Sequence, residues 1–173
     1  MLRTLETELA QPKYSHFERE RRWLVDAVSV PDLDACQCVL IEDRYLDKSR
    51  LRLRRMTDQA TGTVALKLTK KYDAGPPTAR PIVTAYLDEA EYALFAGLPG
   101  AGMIKRRYEL PYKGRGWSLD LFESPVLPFA ILEIEAAETE LDALTPPTWA
   151  GHEVTDDPRY SCANLLRSGP PTA

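Results

Sequence analysis

Glu18 and Glu20, and again Glu133 and Glu135, place two carboxylates two residues apart. A β-strand sends alternate side chains to one face, so each pair would project together, about 6 to 7 Å apart. At an effective dielectric near 20 their repulsion is on the order of 2.5 kcal/mol, so burying all four together requires cations. Mg²⁺ and Mn²⁺ take oxygen ligands and retain several waters, which suits such a set, with Asp120 as a natural fifth ligand. The basic residues likewise share strand faces: Arg50, Arg52 and Arg54 two apart, then Lys67 and Lys71 four apart, then Lys105 and Arg107 two apart. Guanidinium forks match phosphate oxygens two at a time and lysines add point charge, so a shared cavity would demand a strongly anionic guest. A guest with several phosphates satisfies both sets, because Mg²⁺ bridges phosphate oxygens to carboxylates. The number of cations exceeds what a monophosphate would use and points to a triphosphate or longer.

The elements that must position these residues follow from the same alternation. An ordinary half-exposed strand also alternates, but its wet face usually mixes signs; here each stripe keeps mostly one sign. Strands are predicted at Phe17–Val25, Val39–Leu46, Arg50–Met56, Thr63–Lys71, Ile82–Leu87, Met103–Leu110, Trp117–Glu123 and Phe129–Ala136. Asp47-Lys48 and residues 59–62 read as turns, and Ala74-Gly75-Pro76-Pro77 as a loop. Pro31-Asp32 starts a turn, with a short helix through Cys36 as an option. The clearest helix follows Asp88, where Glu91 completes a capping box and Gly97 offers a left-handed stop. Further helices are expected near Glu140–Leu144 and Tyr160–Leu166. Eight mostly sequential strands joined by short turns favour an antiparallel sheet, and eight suffice to close a barrel. Whether the charged faces point in or out is left open by the pattern, since about three helices would only partly cover an apolar exterior.

With 173 residues, 44% apolar, the chain is long enough for one well-buried domain and short for two. It divides into an N-terminal arm (1–16), a single domain (17–167) and a disordered tail (168–173). A net charge of −4 argues against a general nucleic-acid binder, so no nucleic-acid partner is expected and any anion site must be local. No apolar run reaches the roughly 18 residues of a membrane span, which predicts a cytoplasmic protein without a membrane partner. Three cysteines, with Cys36 and Cys38 one residue apart, make neither a disulfide framework nor a usual zinc spacing. No phosphate-cradling glycine loop and no nucleophile–base pairing accompany the two lone histidines, His16 and His152. A metal-activated water is the nucleophile this leaves.

Read in order, the motifs resemble the CYTH superfamily, the triphosphate tunnel metalloenzymes. Glu18-Arg19-Glu20-Arg21-Arg22 is similar to its Glu-x-Glu-x-Lys opening and Arg50-Leu51-Arg52 to its paired-arginine strand. Lys105-Arg106-Arg107 resembles its Lys-x-Arg strand, and Asp120 to Glu123 with Leu132 to Glu135 its acidic strands. Glu153 to Tyr160 resembles the family's close and brings Arg159 into the substrate-binding set. The likeness spans residues 17 to 166. It implies a mainly β, α+β fold: a closed eight-stranded antiparallel tunnel with a charged interior and a few flanking helices. It also implies divalent-metal-dependent chemistry on triphosphates. Arg22 takes the motif's lysine position; it keeps the charge but is bulkier and does not readily donate a proton. The expectation is hydrolysis of a small-molecule triphosphate, foremost inorganic tripolyphosphate. Adenylate cyclisation, hydrolysis of an organic triphosphate and non-catalytic sensing are the alternatives, and a homodimer is kept as one assembly.

Overall fold

Alternating charged and apolar residues produce eight strands: β1 (His16–Leu24), β2 (Cys38–Leu46), β3 (Leu51–Asp58), β4 (Val64–Lys71), β5 (Ala79–Leu87), β6 (Gly100–Tyr112), β7 (Arg115–Ser124) and β8 (Phe129–Glu135). The computed structural model describes residues 14–26, 29–30, 32–72, 79–126 and 129–171. The loop expected at 74–77, most of the N-terminal arm and the last two residues of the tail lie outside these. Around the barrel the order is β1-β5-β4-β3-β2-β6-β7-β8, and β8 returns to β1. Every neighbouring pair is antiparallel. The sheet therefore closes on itself, as the sequence motifs imply.

Strand β6 runs past its predicted end at Leu110 because its turn is only two residues long. Lys113 and Gly114 both take positive φ, 48° and 73°, the type I′ geometry whose twist matches the flanking strands. The β2–β3 turn likewise places Lys48 at φ 53°.

Among the described residues three α-helices flank the barrel: α1 (Glu89–Ala96), α2 (Glu138–Leu141) and α3 (Cys162–Ser168). The predicted capping box at α1 is present, with Glu91 N donating to Asp88 Oδ1 and Asp88 N to Glu91 Oε2. Its far end differs from expectation, since Gly97 stays right-handed at φ −73°. Leu98 N instead donates to the Phe95 carbonyl and the chain enters β6 at Gly100, where a Cβ would lie 2.5 Å from the Tyr45 carbonyl oxygen. Residues 32–37 form a turn rather than a short helix; the Asp32 carboxylate accepts the Asp34 amide, a local bond that competes with helix. The last helix starts two residues late, because Pro158–Tyr160 is a 3₁₀ turn and Ser161 caps α3 by accepting from Asn164 N.

The direction of curl is settled by where the apolar residues pack. Trp23 (β1), Leu110 (β6), Trp117 and Leu119 (β7) and Leu132 and Ile134 (β8) alternate with the charged positions and form one buried layer on the outer wall. Trp23 and Trp117 sit 5.5 Å apart within it. The layer is covered by irregular chain, Val30, Leu33 and Cys36 before β2 and Leu144, Trp149 and Ala150 after α2, rather than by the helices expected to do so. Helix α1 packs elsewhere, over β3, β4 and β5. No helix among the described residues is long and apolar enough to cross a membrane.

The C-terminal chain also completes β1. Residues 16–19 of that strand pair with β5, but farther along the same edge β5 has ended. There Leu24 N donates to the His152 carbonyl, Gly151 N to the Leu24 carbonyl and Val154 N to the Arg22 carbonyl.

Candidate active site

Inside the barrel lies a cavity of about 440 Å³, within the usual range for small-molecule sites. The register of β1 on β8 sets Glu20 opposite Glu135 and Arg22 opposite Glu133, so these side chains leave one face of adjacent strands. With Glu18 they make an acidic wall. Strands β3 (Arg52, Arg54), β4 (Lys71) and β6 (Lys105, Arg107) supply the basic wall, and Arg50 lines the cavity from the turn before β3. Eleven of the fourteen site residues expected from sequence thus share one cavity.

Three do not line it. Asp120 has no exposed surface; its carboxylate accepts from Arg107 Nε and Nη2 at 2.7 Å each and is also bonded by Lys105. Lys67 shares the inward face of β4, but its ammonium lies 5.0 Å from the centre of the Tyr86 ring. Arg159 is exposed in the 3₁₀ turn and paired with Asp157 at 2.6 Å. Conversely, the cavity holds residues that sequence reasoning missed: Arg80 on β5, Tyr45 on β2, and Ser161, Cys162 and Arg167 of the segment around α3. The three cysteines are free thiols.

Two fully buried aspartates organise the cations from behind. Asp43 on β2 receives the Arg54 fork at 2.6 and 2.7 Å and lies 3.7 Å from Arg52 Nε. Burial opposes its charge, but Arg54 and then Arg52 outweigh that and hold its carboxyl down at about 2. Asp120 does the same for Lys105 and Arg107; against strong desolvation these two keep it well below the usual carboxylate range. The Arg54 and Arg107 forks and the Lys105 ammonium are thereby held by the protein's own carboxylates.

The acidic wall is unevenly compensated. Burial raises the cost of charge on Glu18, yet a bond from Lys71 and the nearness of Arg52 leave its acidity strengthened. Glu133 is bonded by Arg107. Glu20 has Arg22 Nε only at 3.6 Å; burial, then the Glu133 charge, push its carboxyl up to about 7. A carboxylate in that position is stabilised by an added cation. No three such ligands converge on one point among the described residues. Mg²⁺-type sites commonly use one or two carboxylates completed by substrate phosphates and water, and oxygen donors of this kind fit that pattern.

At the other end the interior turns apolar. Met103, Phe122 and Ile131 continue the inward faces of β6, β7 and β8 and bury Leu165 of α3. Helix α3 closes over them, and its first turn and Arg167 face the cavity.

No family model matches the chain. It is 32% identical over 161 residues to the inorganic triphosphatase of Nitrosomonas europaea, covering 88% of this chain and 99% of that protein. The crystal structure of the inorganic triphosphatase NE1496 superposes with a TM-score of 0.60 at 28% identity, over 89% of this chain and all of that one. The PH1819 protein of Pyrococcus horikoshii shares the fold at a TM-score of 0.53 and 18% identity, over 73% and 82% of the two chains.

Proposed function

This chain belongs to the inorganic triphosphatases of the CYTH superfamily, and from that premise we propose that it hydrolyses inorganic tripolyphosphate inside its tunnel with Mg²⁺ or Mn²⁺. The observation that carries the reading is the pairing of walls within one cavity. Arg52, Arg54, Lys105 and Arg107, each held by a buried aspartate, form a rigid cradle for phosphate oxygens. Lys71, Arg50 and Arg80 extend that cradle. Among the described residues that line the cavity Tyr45 is the one aromatic side chain, and these residues form no broad platform for a nucleobase or a thiamine ring.

Glu18, Glu20, Glu133 and Glu135 are the residues that would hold the metal. When bound, a divalent ion supplies Lewis-acid polarisation of phosphate oxygens and a more acidic water. The protein's own part is to bind and orient the substrate, and to exclude all but a few waters. Water oxygen adds to the terminal phosphorus as the bridging P–O bond breaks, releasing orthophosphate and pyrophosphate. The basic wall stabilises the charge spread over the equatorial and leaving oxygens. A cytoplasmic location belongs to the same reading.

The test is phosphate release from tripolyphosphate, ATP and thiamine triphosphate with Mg²⁺ and with Mn²⁺. Tripolyphosphate is expected to be turned over at least tenfold more efficiently than either organic substrate, about 1.4 kcal/mol of discrimination. Cyclic AMP formed from ATP, or no release from any of them, overturns it. Glu135→Gln is expected to abolish metal-dependent turnover and leave the melting temperature close to wild type.

A further inference from the structure

Arg22 stands where the motif it resembles carries lysine, and its fork is engaged by the protein's own backbone. Nη1 donates to the Tyr160 carbonyl at 3.0 Å and Nη2 to the Thr155 carbonyl at 3.3 Å. Its main chain is held by the same segment: Arg22 N donates to Thr155 Oγ1 at 2.9 Å, and the Arg22 carbonyl accepts from Val154 N at 2.8 Å. Four hydrogen bonds therefore join one residue of β1 to residues 154–160.

Beyond residue 160 the chain forms the closed end of the tunnel. The Tyr160 ring stacks on Phe129 at 6.0 Å, Ser161 caps α3, and Leu165 is fully buried against Met103, Phe122 and Ile131. Lysine ends in one nitrogen, whereas guanidinium presents two terminal nitrogens in a fixed plane and can serve both carbonyls together. We infer that Arg22 is a positioning residue that latches the C-terminal segment across the tunnel, and that its influence on the reaction passes through Arg167 of α3 rather than through a phosphate. The kinetic part of this inference rests on the triphosphatase reading; the structural part stands without it.

Hydrogen exchange on the substrate-free protein tests the latch directly. In Arg22→Lys the amides of Asn164 and Leu165 are expected to exchange about tenfold faster or more, while those of β6 and β7 keep wild-type protection. Thr155→Val, which removes a hydroxyl outside the cavity wall, is expected to loosen the same amides and keeps the inference open to refutation if Arg22→Lys fails to fold. The second measurement is a cycle of Arg22→Lys, Arg167→Ala and the double variant, read as KM for tripolyphosphate. Action through Arg167 makes the double variant no worse than Arg167→Ala. Unchanged exchange at Asn164 and Leu165, or effects on KM that multiply, overturns the inference. If tripolyphosphate is not turned over, its dissociation constant by calorimetry takes the place of KM, and the exchange result is unaffected.

Discussion

Asp120→Asn separates two roles that a carboxylate in this barrel can play, metal ligand or internal counter-ion. The side chain is wholly buried, and both oxygens are taken by Arg107 and Lys105. Asparagine keeps the shape and removes the charge, leaving Lys105, only 2% exposed, beside a neutral amide. Breaking a buried ion pair from one side costs about 3 to 5 kcal/mol, and because Arg107 retains Glu133 the lower figure applies, about 3 kcal/mol. For a domain of this size each kcal/mol moves the melting temperature by about 2 to 4 °C, giving a drop of about 6 to 12 °C. Thermal melts by circular dichroism, in EDTA and again with Mn²⁺, read it out. A counter-ion gives the same drop in both. A ligand gives little change in EDTA and loss of the metal-induced rise, and a metal-free melting temperature within about 2 °C of wild type would refute the reasoning. The pH sign agrees: the folded carboxyl lies below its ordinary 3.8, so its contribution is complete above that value and fades as acid is added.

Glu20 has the opposite sign. Burial and Glu133 hold it at about 7 against an ordinary 4.5, so between those values the folded protein keeps a proton that the unfolded chain has released. Metal-free stability should therefore fall by up to about 3 kcal/mol as pH rises through that window. Urea unfolding of Glu20→Gln at pH 5 and pH 8 should show that slope reduced, and a slope equal to wild type speaks against it. Leu132→Ala tests the placement of the apolar layer. Leu132 has no exposed surface and lies on the outer wall, so truncation should cost about 2 to 5 kcal/mol in urea unfolding. KM for tripolyphosphate should be unaltered; a large change would mean the side chain reaches the tunnel.

Most of the barrel was legible because charge and leucine alternate so strictly in β3, β4 and β8. Eight strands were expected and lie within a few residues of their predicted bounds. Register was not legible, and the site depends on it. Asp120 reads as a fifth ligand on a strand beside the acidic pairs; opposite it in space are Arg107 and, one step along the same face, Lys105. Asp43 was passed over because it sits in Glu42-Asp43-Arg44, a run of mixed sign, yet its register partner is Arg54. Arg80 is a lone cation beside Pro81 with no companion at spacing two, and only pairing with Glu18 brings it into the tunnel. Arg22 fitted the phosphate pattern by charge, and its acceptors lie more than a hundred residues downstream.

The divided edge of β1 bears on how the molecule is made. Among the described residues this strand finds its neighbours in β5, β8 and residues 151–155, so during synthesis its first half can pair once β5 has emerged while residues 20–24 wait for β8 and then for residues 151–155. Until then the β2, β3 and β4 hairpins can assemble locally, while the amides of Arg22 and Leu24 remain available to any other extended chain. A chain cut short before residue 150 would therefore carry a sheet with an adhesive border along residues 22–24 of β1.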